Sequence, residues 1–365
     1  MAVWTALLAA VAAVGIVLFI LSGVYNVAAS SNHFGVTDNI IRLVLRRSVA
    51  TRSLFVGEPP DLGDADLIRL GAGHYAGGCA ACHGSPGQPA NPIVAEMLPA
   101  PPLLSGRVDH WSDEELFWIV KHGLKFTGMP AWTAQVRDDE VWTVVAFLRQ
   151  LPEISAEEYV RLASGNAPPA TAPGADAIAV DEAALTQCSR CHETESAPPT
   201  SSLTPRLAGQ SQAYLERALR EYAAGARPSG IMQPVGFELD SQEIERFAAY
   251  FAGLPRIAGQ AAADAADPAS IERGREIAEQ GVAEEGIPPC LACHSGRAPQ
   301  FPLLAGQSSA YLAGQLALSQ DGHRDATTYG AIMAPIARRL DARQVKDVTV
   351  YFESLDGEAA GEAVR

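Results

Sequence analysis

The sequence predicts an all-α chain, with three small helical modules in tandem behind an N-terminal membrane-spanning helix. Three observations predict it. The pattern Cys-x-x-Cys-His occurs three times, as Cys79-Ala80-Ala81-Cys82-His83, Cys188-Ser189-Arg190-Cys191-His192 and Cys290-Leu291-Ala292-Cys293-His294, at intervals of about one hundred residues that suit repeated domains. Alanine, glycine and proline are abundant and β-branched runs are few, which favours short helices joined by loops. The first residues form an almost unbroken apolar run. A chain of 365 residues also holds more than one small domain.

Cys-x-x-Cys-His is the attachment pattern of a c-type haem. On a helical turn, residues i, i+3 and i+4 share one face. Two thiols can then bond the vinyl groups along one haem edge while the histidine reaches the iron. The three motifs use all six cysteines of the chain, and the cofactor they predict is three covalently bound haem c groups. A structural zinc site needs four ligands, and three Cys pairs each followed by histidine do not divide into such sites. A thioredoxin-like pair does not require the histidine, and disulfides would leave the three-fold spacing a coincidence.

From Val3 to Leu21 only Thr5 is even mildly polar, and the apolar character extends almost to Ala29. That length suits a helix crossing a bilayer core. The rival is a cleaved signal peptide, for which Val27-Ala28-Ala29 offers small residues; the missing basic n-region and the long apolar run favour a retained anchor. Arg42, Arg46, Arg47 and Arg52 follow the segment, and the positive-inside rule would hold them in the cytoplasm. Covalent haem attachment takes place outside the bacterial inner membrane, and large domains translocate largely regardless of flanking charge. The haem modules are therefore expected in the periplasm. The stretch from Ile40 to Arg52 is then either an amphipathic helix on the outer membrane surface or an ordinary solvated helix.

In chain order, the anchor occupies 1–29 and a connector 30–62. The first module spans 63–152. It opens with the amphipathic run Leu67 to Gly78. Ser112 and Glu115 form a capping box for a helix that stops at Gly123, and a closing helix runs from Asp138 to Leu151. A proline- and alanine-rich linker fills 153–180. The second module spans 181–256, a short linker 257–268 and the third module 269–356, with frayed residues at the end. Modules two and three are an internal duplication: Leu207 to Gln210 and Leu304 to Gln307 both read Leu-Ala-Gly-Gln, followed by Tyr214-Leu215 and Tyr311-Leu312. Both later carry Ile-Met-x-Pro, at Ile231 to Pro234 and Ile332 to Pro335. The first module is more distant. It holds four of the five tryptophans and lacks Leu-Ala-Gly-Gln.

The second axial ligand decides the chemistry of a haem iron. Met129, Met232 and Met333 each follow their module's histidine by roughly 40 to 46 residues, a similar offset of the kind a repeat produces. Apart from Met1 and Met97 they are the only methionines. His83 with Met129, His192 with Met232 and His294 with Met333 are therefore the expected iron ligands. A thioether favours ferrous iron and raises the potential, and two filled positions leave no open site for substrate. Met97 has no counterpart and reads as a loop or core residue. His33, His74, His110, His122 and His323 read as surface or satisfied core residues. A proline carbonyl is expected to hold each ligating histidine through Nδ1–H, with Pro205 and Pro302 as candidates.

With these residues in place the chain resembles the class I c-type cytochromes. Residues 181–356 are similar to the dihaem cytochromes c4, which share the haem motif, Pro-x-Leu-Ala-Gly-Gln, a following Tyr-Leu and a later ligand methionine. Pro205-Arg206-Leu207 and Pro302-Leu303-Leu304 open that second motif here. Residues 63–152 resemble a monohaem class I domain with a Gly-Met-Pro ligand loop, at Gly128-Met129-Pro130. Two departures are evident: only Asp181 to Gln187 precede Cys188 in module two, and Gly281 to Pro289 reads as an insertion in module three.

The net charge of −15 argues against nucleic acid as a partner. Residues 63–152 carry a net −4 and residues 153–365 a net −12, which either steers the acidic half towards a basic patch or serves solubility. The resemblance implies electron transfer in respiration: a membrane-anchored three-haem carrier between a quinol-oxidising complex or dehydrogenase and a terminal oxidase, with protein partners and no small-molecule substrate. The alternative is the cytochrome subunit of a membrane-bound periplasmic dehydrogenase. A dihaem peroxidase-like enzyme is disfavoured, because it requires one iron without a methionine.

Overall fold

Side-chain caps and apolar residues at helical spacing account for most elements of this chain. The computed structural model describes residues 1–165, 182–256 and 267–355. Among these there is no strand; isolated bridges join Ser85 to Gln88 and Val282 to Ile287. The first helix, α1 (Ala2–Ser22), has no buried residue and ends at Gly23 in the left-handed region, φ 62°. Its 21 residues give a length of roughly 31 Å, close to the hydrocarbon thickness of a bilayer.

The stretch expected as a connector contains α2 (Gly35–Arg52). Its C-terminal end is not a free tether: Val49 is buried, and the Arg46 guanidinium sits 5.7 Å from the ring centroid of Trp111. Leu54 and Phe55, just beyond it, are 78 % and 88 % exposed.

The first core is built by α3 (Ala65–His74), α4 (Asp113–His122), α5 (Asp138–Gln150) and α6 (Ala156–Ser164). Asp64 caps α3, and both halves of the Ser112/Glu115 capping box form at α4, which ends on Gly123 at φ 60°. Helix α3 crosses α5 so closely that a Cβ on Gly71 would overlap the Thr143 carbonyl. Tyr75, Phe117, Trp142, Val145, Phe147 and Tyr159 fill the space between the helices. Tyr159 belongs to α6, which lies inside the stretch expected as a linker from 153. Ser155 caps that helix, and Tyr159 and Ala163 bury into the first core, so this core runs to about residue 164. The proline- and alanine-rich composition of the whole stretch hid nine residues with a clear apolar face. The centre of the expected linker, 166–180, lies outside the described residues, as do 257–266 of the second linker and the C-terminal 356–365.

The second core combines α7 (Glu182–Ser189), α8 (Gln212–Ala223), α9 (Met232–Glu238) and α10 (Ser241–Gly253). Leu185, Leu215, Phe247 and Phe251 meet at its centre. The third combines α11 (Pro268–Gln280), α12 (Ser309–Gln320), α13 (Thr328–Ala337) and α14 (Ala342–Ser354). Here α11 meets α14 at Gly274, where a Cβ would overlap the Asp347 carbonyl, the same device as at Gly71. The stretch 281–289 folds back on itself: Val282 N–H donates to Ile287 O at 2.8 Å and Ile287 N–H to Val282 O at 3.0 Å.

The repeated Leu-Ala-Gly-Gln has a structural role. Gln210 donates from Nε2 to Leu303 O at 2.7 Å and accepts at Oε1 from Leu303 N–H at 2.9 Å. Gln307 does the same to the other repeat, donating to Arg206 O at 3.0 Å and accepting from Arg206 N–H at 2.9 Å. Each repeat's glutamine thus satisfies the backbone of the other's Pro-x-Leu segment, an isologous clasp within one chain. Gln210→Ala would leave the part-buried Leu303 amide and carbonyl without their partner, at a cost of up to about 1–3 kcal/mol for each group that water does not reach. Thermal unfolding of the variant should show this loss, and Gln307→Ala should reproduce it on the other side of the interface.

Candidate haem sites

Each Cys-x-x-Cys-His closes a helical turn. In the second, the N–H groups of Cys191 and His192 donate to Cys188 O at 3.2 and 2.9 Å. In the third, Cys293 and His294 donate to Cys290 O at 3.2 and 3.0 Å. The first follows a π-type turn, Tyr75–Cys79, leading into Ala80–His83, and π turns concentrate at functional sites. The buried Tyr75 hydroxyl donates to Gly84 O at 2.7 Å and ties down the end of that motif. No disulfide joins any of the six cysteines.

A proline carbonyl holds each histidine. His83 Nδ1 lies 2.9 Å from Pro102 O, His192 Nδ1 3.1 Å from Pro205 O and His294 Nδ1 2.8 Å from Pro302 O. Pro205 and Pro302 are the two residues the sequence nominated, and Pro102 is the one it left open. A carbonyl only accepts, so Nδ1 carries the proton and Nε2 presents its lone pair, the tautomer an iron ligand needs. Burial lowers the pKa of His192 and of His294, partly offset at His192 by Glu193 and at both by the proline hydrogen bond. Burial also pushes the Cys79 and Cys188 thiols up to about 12 and those of Cys191 and Cys290 to about 11.

The second and third motifs open into one cavity of about 870 Å³. Cys188, Cys191, His192 and Met232 line one part of it, and Cys290, Cys293, His294 and Met333 the other. Met129 is half-buried in a separate loop, whose Thr127 Oγ1 accepts from Met129 N–H at 3.1 Å. Met97 lies against Gly128 in the same loop. Of the other histidines, His74 does more than the sequence suggested. It reaches the shared cavity, packs edge-on to Trp132 with centroids 4.8 Å apart, and burial lowers its pKa to about 4.

The residues present fit a haem on three counts. The thiols and imidazoles lie on single helical turns, Met232 and Met333 share the cavity with His192 and His294, and a buried cation lacks an anion. Arg227 is 4 % exposed. It donates to the Tyr214 and Tyr311 hydroxyls at 3.3 and 2.9 Å and to Gln315 Oε1 at 3.2 Å. Its Nε has no partner, and no carboxylate of the described residues pairs with it. Burial and the adjacent Arg227 charge hold Arg324 below its ordinary pKa. Unpaired buried guanidinium groups are costly, and the propionates of haems in this cavity would supply the missing charge. Sequence reasoning missed both arginines and also Glu193, whose Oε1 accepts from the Leu207 and Ala208 N–H groups at 2.5 Å. The Tyr-Leu repeat was a usable signal, because both tyrosines converge on Arg227. A haem in such a site supplies a one-electron iron couple, and the chain's own part is to orient the ligands and exclude water.

Residues 66–148 match the family described as cytochrome c oxidase, cbb3-type, subunit III. A thiosulfate dehydrogenase electron acceptor of Stutzerimonas stutzeri is 33% identical over 179 residues, 48% of this chain and 82% of that protein. Cytochrome c4 of Pseudomonas aeruginosa is 31% identical over 182 residues, 48% of this chain and 88% of its own length. Among solved structures, cytochrome c4 of Acidithiobacillus ferrooxidans is 34% identical, with 46% of this chain and 98% of that one covered and a TM-score of 0.41. With its haem motifs, its helical architecture and these relatives, the chain belongs to the class I c-type cytochromes and is an electron carrier.

Proposed function

We propose that this protein is a three-haem carrier anchored in the bacterial inner membrane by α1, with its haem modules in the periplasm, and that it passes electrons from a dehydrogenase towards a terminal oxidase. The observation that carries this reading is the three-fold repetition of one geometry, a Cys-x-x-Cys-His turn whose imidazole is fixed by a proline carbonyl. His83 and Met129, His192 and Met232, and His294 and Met333 are the axial pairs, and Cys79, Cys82, Cys188, Cys191, Cys290 and Cys293 form the thioethers. The three modules correspond to the three buried cores.

Support for the route comes from two directions. The first module matches a family named for an oxidase subunit, while relatives covering about half of the chain are named as electron acceptors of thiosulfate dehydrogenase. Electrons on this reading enter at the paired second and third sites and leave through the first. Those relatives' names also favour a second reading, in which the chain is a fixed subunit of a dehydrogenase complex. Exposed Leu54 and Phe55, together with the arginines of α2, suit a membrane surface beside the anchor.

Three measurements test this. The near-infrared charge-transfer spectrum of the oxidised protein, quantified per haem, should give three equivalents of methionine-ligated low-spin iron; a high-spin or bis-histidine site would remove the carrier role from its module. The full chain should stay with the membrane fraction until detergent is added, and removal of residues 1–29 should release it. Reduction by a catalytic dehydrogenase chain should slow several-fold as salt rises from about 0.05 to 0.5 M, because the Debye length shrinks from roughly 14 Å to 4 Å and screens the acidic half. A rate indifferent to salt would sink electrostatic docking.

A further inference from the structure

The first and second modules meet through a buried carboxylate. Glu140, the third residue of α5, is 4 % exposed and faces out of its own module. Its Oε1 accepts from the Ser229 hydroxyl at 2.6 Å, and its Oε2 accepts from Gly230 N–H at 2.6 Å. Arg137, one turn earlier, pairs with Glu140 at 2.7 Å and donates to Pro228 O at 3.0 Å. The Ser229 oxygen in turn accepts from Met232 N–H at 2.9 Å and from Ile231 N–H at 3.3 Å. Trp132 of the first module closes the other side. It lies so close to Gly230 that any Cβ there would overlap the indole. The segment 228–231 is therefore held by another module, and Met232 follows directly from it.

The duplicated third module provides an internal contrast. Met333 lies in the second turn of α13, and the start of that helix is capped by its own Thr327, which accepts from Gly330 N–H at 3.0 Å. Met232 is the first residue of α9, and the preceding Ile231 provides no side-chain cap. What orders the approach to Met232 is Ser229, and what orders Ser229 is Glu140. Every contact that the Glu140 oxygens make comes from a donor, as an ionised carboxylate requires. Burial raises its pKa, and Arg137, Ser229 and the Gly230 amide pull it back.

We propose that Glu140 is a positioning residue for the second haem site, holding from the first module the loop that sets Met232 on the iron. The inference rests on Met232 being the axial ligand there. It makes the ligation of one haem depend on the docking of a neighbouring module, while the other two methionines are held within their own modules.

The test uses the full haem-loaded chain, with Glu140→Gln and Ser229→Ala. Glutamine keeps the size but presents an NH₂ in place of an acceptor to donors among Ser229, Gly230 and Arg137. Alanine removes the relay while leaving α5 and the Arg137 pair untouched. The readout is the near-infrared methionine-to-iron band, followed on warming. Both variants should lose one third of its intensity at a lower temperature than wild type, with the remaining two thirds unchanged. A band that behaves as wild type in both variants, or one that weakens as a single unit, would overturn the proposal. If the wild-type chain shows only two methionine-ligated haems, the ligand assignment itself fails, and that outcome is visible before any variant is made.

Discussion

The hydrogen bond from histidine Nδ1 to a proline carbonyl is the constraint on which the sites depend. A histidine tethered only through its sequence position can rotate and can swap tautomers. Once Pro102, Pro205 and Pro302 each accept the Nδ1 proton, the ring plane and the free nitrogen are both decided. The rest of each module serves this arrangement. Tyr75 secures the end of the first motif, and Glu193 braces the Pro-x-Leu-Ala segment that includes the second proline's neighbours.

Pairing of the second and third modules turns two sites into one cavity. The glutamine clasp brings the two Pro-x-Leu segments together, and these segments carry the proline carbonyls. Interface formation and histidine orientation are thus mechanically linked. Arg227 lies between a tyrosine from each repeat, and its uncompensated charge would suit the carboxylates of a bound haem.

The first module is joined to this pair by a different chemistry. Gly73 packs against Cys191, and Glu140 and Arg137 reach the segment before Met232. Small residues allow helix α3 to approach the second motif closely, and buried charge then fixes the register of the contact. A proline- and alanine-rich stretch between modules would by itself suggest independent motion, whereas the contacts made by Gly73, Arg137 and Glu140 tie the modules together.

Haem chemistry was legible in the sequence because it is local. Cys-x-x-Cys-His needs only one helical turn, the capping box at Ser112 and Glu115 needs three residues, and the duplication announces itself through Leu-Ala-Gly-Gln and Tyr-Leu. The fold class followed from the same signals, since caps and apolar spacing act within single helices. The boundary at 152 was misplaced because the apolar face of Tyr159 and Ala163 acquires meaning only beside Tyr75 and Phe147. Pro102 stayed hidden among several prolines, because its carbonyl is chosen by a loop path that no spacing rule encodes. Arg227 and Glu140 look like ordinary surface charges in the sequence. Only the tertiary structure buries them, because their partners lie some 80 to 90 residues away in other modules, and burial is what turns a solvated charge into a determinant of the site.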